Sequence, residues 1–345
     1  MDFQTWTQLV RSIGTTLNEM EKKKVLLMGK SGSGKSSMRN IIFSNYRAKD
    51  VRRLGATIDV EHSNIKFLGN LTLNLWDCGG QDAFTGTYLT TQKSHVFSDV
   101  GVLIYVFDVE SRSFDRDLAT YTSINTALAE YSRYAHVFAL VHKIDLVNPE
   151  FRIKVIANRE AAINEASGPF QKTLKVFGTS IWDQSLYKAW GGIVNSLIPN
   201  LDVMERYLRG LMGETMAEEI TLFERATFLA VMKVTSEVGK RNPYPDRDEK
   251  MSNIIKTFKA SLAKFAGDNP GPDFCEKFCI SAPRFALIIE ELTKNTYVCV
   301  VLPPGEAELN CAKINIGIAR ERFASMDFLS GGEDQEELGE DSEEN

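Results

Sequence analysis

The stretch Val25-Leu26-Leu27-Met28-Gly29-Lys30-Ser31-Gly32-Ser33-Gly34-Lys35-Ser36 sets an apolar run directly before the pattern G-x-x-x-x-G-K-S. Four apolar residues in a row read as a strand buried on both faces, and Ser36 to Tyr46 reads as the helix that follows. Strand, glycine-rich turn and helix start together make a seat for phosphate. The glycines let backbone N–H groups turn inward, Lys35 reaches the β- and γ-phosphates, and the Ser36 hydroxyl is placed for Mg²⁺. The helix N-terminus adds partial positive charge of its own. Candidate nucleotide contacts are therefore Ser31, Gly32, Ser33, Gly34, Lys35, Ser36 and Ser37. A glycine-rich β-hairpin is the competing reading, and the flanking strand and helix weigh against it. The pattern implies a nucleoside triphosphate, and segments further along say which one.

Outward from this loop, strands and helices alternate as far as about Leu197. Apolar runs at 102–107 and 137–141 read as buried strands, Leu71, Leu73 and Leu75 alternate with polar residues, and 174–178 is strand-like. Helical stretches fill the gaps near 36–46, 115–131, 150–165 and 185–197. This is an α/β pattern with a mainly parallel sheet. Pro199-Asn200 marks a boundary. Beyond it the order is αββαβββα: helix 202–216, strands 220–225 and 227–234, helix 247–266, strands 275–281, 284–291 and 296–302, and helix 307–324. That order describes an α+β domain on an antiparallel sheet. No His follows His142, so the segment carries no evident catalytic constellation, and binding or dimerisation is its default role. The chain therefore divides into an N-terminal amphipathic helix (1–22), a nucleotide-binding domain (23–199), an α+β domain (200–326) and an acidic tail (327–345). Phe3, Trp6, Val10, Ile13, Leu17 and Met20 form the apolar stripe of that first helix.

Composition narrows the class. The 345 residues are 43% apolar and 25% charged, as in a soluble globular protein, and no run of 18 apolar residues exists to cross a bilayer. The N-terminus lacks a basic stretch followed by an apolar one, which argues against secretion. Five scattered cysteines, an odd number, read as free thiols of a reducing compartment. Net charge is −6, but residues 333–345 alone hold eight acids and no base. The remainder is close to neutral, without the basic stripe a nucleic-acid partner would require. The tail itself reads as solvated.

Four further segments bear on the nucleotide. Asp77-Cys78-Gly79-Gly80-Gln81 follows the 71–76 strand. An Asp at that strand end holds Mg²⁺ through water, Gly80 offers an N–H to the γ-phosphate, and Gln81 is the candidate catalytic residue that orients attacking water. Thr57 lies between the first helix and the next strand; its hydroxyl can reach Mg²⁺ and its N–H the γ-phosphate only while that phosphate is present. Ser36, Thr57 and Asp77 are the metal candidates. His142-Lys143-Ile144-Asp145 ends the 137–141 strand. The Asp145 carboxylate matches guanine N1–H and the exocyclic amine, donors adenine lacks, and Lys143 can lie along the base plane. His142 reads equally as a base contact and as a strand-end residue satisfied within the fold. Ser180 and Ile181, after the 174–178 strand, are placed to cover the base from the other side.

Gly55-Ala-Thr-Ile-Asp-Val-Glu-His-Ser63, Leu75-Trp-Asp-Cys-Gly-Gly-Gln-Asp82, Val141-His-Lys-Ile-Asp-Leu146 and Thr179-Ser-Ile-Trp-Asp183 resemble the Rag GTPases, called Gtr in fungi, with the A/B type as the closer match. The resemblance spans about 23–325, and the αββαβββα segment is similar to that family's roadblock domain. It implies a GTP/GDP switch with Mg²⁺, paired with a C/D-type Rag/Gtr subunit through the roadblock domains. The GTP-loaded A/B subunit then recruits the TOR kinase complex in response to amino acids, at the lysosome or fungal vacuole. A Ragulator or EGO scaffold holds the pair at the membrane, and activating and exchange factors set its state. No lipidation signal is evident at Met1-Asp2 or at the Glu344-Asn345 end, so membrane contact is expected only through partners. Two positions depart from the usual pattern: His142 stands where guanine-binding elements carry Asn, and Ser31 where Ras-type proteins keep Gly. The Ser31 side chain narrows the path for an arginine finger, so slow intrinsic hydrolysis is expected. A GTP-locked scaffold without turnover and an ATP-using enzyme are the competing functions.

Overall fold

Successive side chains of a strand point to opposite sides of its sheet, so a continuously apolar strand must be covered on both faces. The computed structural model describes residues 22–44, 46, 48–51, 61–66, 72–78, 82–198, 201–225, 227–242, 250–252, 254, 255, 257, 277–293 and 296–325, and within them that rule builds two sheets. The first comprises β1 (Lys22–Gly29), β2 (Glu61–Lys66), β3 (Thr72–Asp77), β4 (Val100–Asp108), β5 (His136–His142) and β6 (Lys175–Thr179). Their order across the sheet is β2-β3-β1-β4-β5-β6, with β2 antiparallel to β3 and every other pairing parallel. The helices between them are α1 (Lys35–Phe43), α2 (Asp82–Leu89), α3 (Lys93–Phe97), α4 (Phe114–Tyr131), α5 (Pro149–Ala166) and α6 (Ser185–Asn195).

Parity along the strands sorts the core. Val25, Leu27, Val102, Ile104, Val106, Phe138 and Leu140 fall on one side with Met38 and Ile41 of α1 and Trp190 and Ile193 of α6. Leu26, Met28, Leu103, Tyr105, Phe107, Val137 and Ala139 fall on the other, with Tyr121 and Leu128 of α4 and Ile163 of α5. Five parallel strands then end at one edge: Gly29, Asp77, Asp108, His142 and Thr179 are their last residues. In open α/β sheets ligands bind at that edge.

The second sheet is antiparallel. It follows α7 (Leu201–Thr215) and comprises β7 (Glu219–Glu224), β8 (Ala230–Thr235), β9 (Lys277–Ala282), β10 (Phe285–Thr293) and β11 (Thr296–Leu302), in the order β8-β7-β11-β10-β9. A four-residue helix, α8 (Glu237–Lys240), follows β8, and α9 (Glu306–Ser325) closes the described chain. The mainly parallel sheet and the separate antiparallel one agree with the α/β-plus-α+β expectation. One apolar core joins them: Trp190, Ile193 and Val194 of α6 cluster with Leu208 of α7, Ile220, Leu229, Val231, Ile288, Val300 and Phe323.

Three details differ from the sequence reading. β2, the polar segment Glu-His-Ser-Asn-Ile-Lys, was not expected as a strand; it is an edge strand paired only with β3. α2 and α3 are short helices in a stretch left without assignment. β8 begins at Ala230 rather than 227, because Glu224 Oε2 accepts from both the amide and the hydroxyl of Thr227, each at 2.7 Å, and Phe228 takes a left-handed φ of 54°. That turn delays the strand. The N-terminal helix (3–20), the acidic tail, and Thr57, Gly80 and Gln81 lie outside the described residues, and the 247–266 helix is described only at scattered positions. Among the described residues, no helix is long and apolar enough to cross a membrane.

Candidate functional site

The phosphate loop is shaped by two glycines. A Cβ on Gly29 would collide with the Val106 carbonyl of β4, so the loop leaves the sheet where only glycine fits. Gly34 has φ 100° and caps α1 without a side-chain hydrogen bond, and no acidic residue stands in the helix's first turn. The first N–H groups of a helix lack intrahelical acceptors, so this end presents donors and a positive dipole to an anion. Between the glycines, the Ser33 amide closes the turn on the Lys30 carbonyl at 3.1 Å. The Ser33 hydroxyl is buried and makes no hydrogen bond among the described residues. Ser31 and Gly32 form the exposed tip of the loop, and Ser36 and Ser37 lie half-buried in the first turn of α1.

Lys35 is 5% exposed, and its Nζ donates to the carbonyls of Gly29 at 2.7 Å and Lys30 at 3.1 Å. Burial pushes its pKa down, with nearby Asp77 opposing the shift. Asp77 ends β3 in register with Leu27 of β1, and the Cys78 amide donates to the Leu27 carbonyl, so the carboxylate is fixed beside the loop. It is fully buried, with Arg39 Nε 3.8 Å from Oδ2. Arg39 lies one helical turn after Lys35 on α1, and the sequence reading did not single it out. A hydroxyl at Ser36 and a buried carboxylate at Asp77 are hard oxygen donors of the kind Mg²⁺ takes, and the uncapped helix end fits the phosphates it accompanies.

On the base side, His142 is enclosed by the fold. Its ring is 2% exposed, and Nδ1 lies 3.0 Å from Thr179 Oγ1 at the end of β6. The opposite side of the ring abuts the phosphate loop: a Cβ on Gly34 would lie 2.6 Å from Cδ2 and 2.9 Å from Nε2. His142 is thus hydrogen-bonded within the fold and wedged between loop and β6. Burial, assisted by Lys143, lowers its pKa to about 4, so the ring is neutral at physiological pH. Lys143 adopts a left-handed φ of 63°, and its Nζ pairs with Asp108 Oδ2 at 2.6 Å. Asp145 is half-buried, and its Oδ1 accepts from Ser180 Oγ at 2.6 Å. Ser180 is held in turn: its amide donates to Ser185 Oγ, and the Trp182 amide donates to its hydroxyl. Ile181 is half-buried beside it. One carboxylate oxygen of Asp145 is therefore held by Ser180.

The loop, Asp77, His142, Lys143, Asp145 and Ser180 thus share one edge of the first sheet. Asp108, Thr179 and Ser185 support them; of these only Thr179 falls in a motif read from the sequence. A family model described as the Gtr1/RagA G protein conserved region matches residues 24–255. The chain is 48% identical over 313 residues to GTP-binding protein gtr1 of Schizosaccharomyces pombe, covering 90% of this chain and 98% of that protein. It is 46% identical over 302 residues to Ras-related GTP-binding protein A of Dictyostelium discoideum, covering 88% and 97%. Human Ras-related GTP-binding protein C is more distant, at 25% over 228 residues covering 65% and 56%. With the match of sequence and the geometry of the phosphate loop in agreement, the chain belongs to the Gtr1/RagA family of G proteins.

Proposed function

We propose that the chain is a GTP- and GDP-binding switch that hydrolyses GTP slowly and depends on an activating protein for turnover. The carrying observation is the pairing of a buried Lys35 at an uncapped helix start with an Asp145 carboxylate oriented by Ser180 at the same sheet edge. The first seats phosphate and the second selects guanine. Similar proteins named as GTP-binding support the reading. Ser36 and Asp77, with Thr57, would hold Mg²⁺, which neutralises charge on the phosphates when bound. Lys35 neutralises the β- and γ-phosphates from the loop side, and Gln81 orients the attacking water.

We further propose an A/B-type role: pairing with a C/D-type subunit through residues 200–326, and signalling amino-acid sufficiency to the TOR kinase complex at the vacuole or lysosome. Membrane contact would come through a Ragulator/EGO-type scaffold. The antiparallel sheet of this segment supports the pairing: among the described residues β9 is its outer strand, and outer strands are places where another chain can add. Competition between GTP, ATP and xanthosine triphosphate tests the core of this. GTP should win by orders of magnitude, and Asp145→Asn should shift preference toward the xanthine nucleotide; equal binding of ATP would end the proposal. Single-turnover hydrolysis with the partner and an activator tests the switch, since equal rates for wild type and Gln81→Leu would leave a GTP-locked scaffold instead.

A further inference from the structure

Lys30 stands second in the phosphate loop, where an ammonium could reach the phosphates directly. The structure turns it the other way. Its Nζ donates to Ser113 Oγ at 2.7 Å, 83 positions along the chain, and lies 3.8 Å from Asp117 Oδ1. Asp117, in the first turn of α4, is 6% exposed, and its other oxygen accepts from Ser111 Oγ at 2.5 Å. Burying a carboxylate strips its hydration, which a cation and hydrogen bonds can replace. Lys30 and Ser111 supply both.

The backbone of Lys30 matters as much as its side chain. Its carbonyl accepts from Lys35 Nζ at 3.1 Å and from the Ser33 amide at 3.1 Å. The neighbouring acceptor, the Gly29 carbonyl, is fixed by the close approach of Gly29 to β4. Among the described residues, no strand pairing includes position 30. We propose that the Lys30–Asp117 pair is a positioning device: it anchors the first corner of the phosphate loop to α4 and holds the Lys30 carbonyl where Lys35 needs it. The pair thereby sets how long a guanine nucleotide stays bound. This rests on the nucleotide-binding reading above. Lys30 itself touches no phosphate in this role, so its loss acts through Lys35 and affects di- and triphosphate alike.

The test uses the full-length chain loaded with fluorescent GDP or a non-hydrolysable GTP analogue, after saturable guanine-nucleotide binding by wild type is measured. Lys30→Met and Asp117→Asn should each speed release of both nucleotides about 5-fold, the double variant no more than either single one. Lys30→Arg should stay within about twofold of wild type, a rescue that mere loss of fold would not give. Release by Lys30→Met at the wild-type rate overturns the proposal, as do effects that multiply in the double variant. So does a loss confined to the triphosphate analogue in Lys30→Met, which would place the ammonium on the γ-phosphate. If Asp117→Asn fails to fold, the Met and Arg variants at position 30 decide. A wild-type chain that takes up no guanine nucleotide overturns the functional reading as well.

Discussion

Glu290, buried in the antiparallel sheet, is flanked by Lys277 at 2.7 Å and by Arg320, whereas Lys35, buried at the edge of the parallel sheet, gives its hydrogen bonds to two backbone carbonyls. The same contrast recurs nearby. Glu219 pairs with Lys233 at 3.2 Å and Glu224 is capped by Thr227, while the Ser33 hydroxyl at the phosphate loop is buried without a hydrogen-bond partner among the described residues. Carbonyl dipoles carry only partial charge and leave an ammonium under-compensated. Glu290 has its counter-charges in direct contact; Lys35 bonds only to carbonyls, with Asp77 the nearby opposite charge. A protein can therefore be searched for its ligand site by asking which buried charges the fold leaves half-satisfied.

The largest effect should come from removing the half-satisfied charge. Lys35→Met should weaken GTP binding about 1000-fold or more, about 4 kcal/mol, without lowering the melting temperature of the nucleotide-free chain. Equilibrium titration and calorimetry read the two separately, and a destabilised but nucleotide-tight variant would erase the contrast. Glu290→Gln should do the reverse. Stripping the carboxylate leaves Lys277 and Arg320 facing a neutral group, at a cost of about 3 kcal/mol in urea unfolding, with nucleotide affinity unchanged.

His142 sharpens the comparison through pH. Its folded pKa, about 4, lies below the ordinary histidine value of 6.5 because burial disfavours the imidazolium. The unfolded chain therefore takes up a proton first as pH falls. Stability from the neutral ring is present above pH 6.5 and is lost progressively toward pH 4, with about 2 kcal/mol gone between pH 7 and 5. Denaturation of wild type and His142→Asn at both pH values should show that difference, and parallel pH profiles would refute it. Smallest of all, Lys240→Ala removes an exposed pair with Glu237 and should change stability by less than about 0.5 kcal/mol.

Much of this was legible in the residues. The run Val25–Met28 before G-x-x-x-x-G-K-S, and the apolar stretches at 102–107 and 137–141, place strands that the fold contains, because double-faced burial demands unbroken apolar sequence. β2 was not legible. Its single large apolar residue, Ile65, gives no alternation, and an edge strand takes its order from its neighbour β3 rather than from its own sequence. At the site, motif spacing pointed to Lys35, Asp77 and Asp145 but could not say which way His142 or Lys30 faces. Those orientations depend on Thr179 and on Ser113 and Asp117, residues distant in the chain with no pattern linking them.

Trp190, Ile193 and Val194 belong to the same apolar mass as Leu229, Val231 and Val234. Cutting the chain near Ile198 would consequently lay greasy surface open to water on both pieces. A nick there should therefore yield two sticky fragments instead of two working parts.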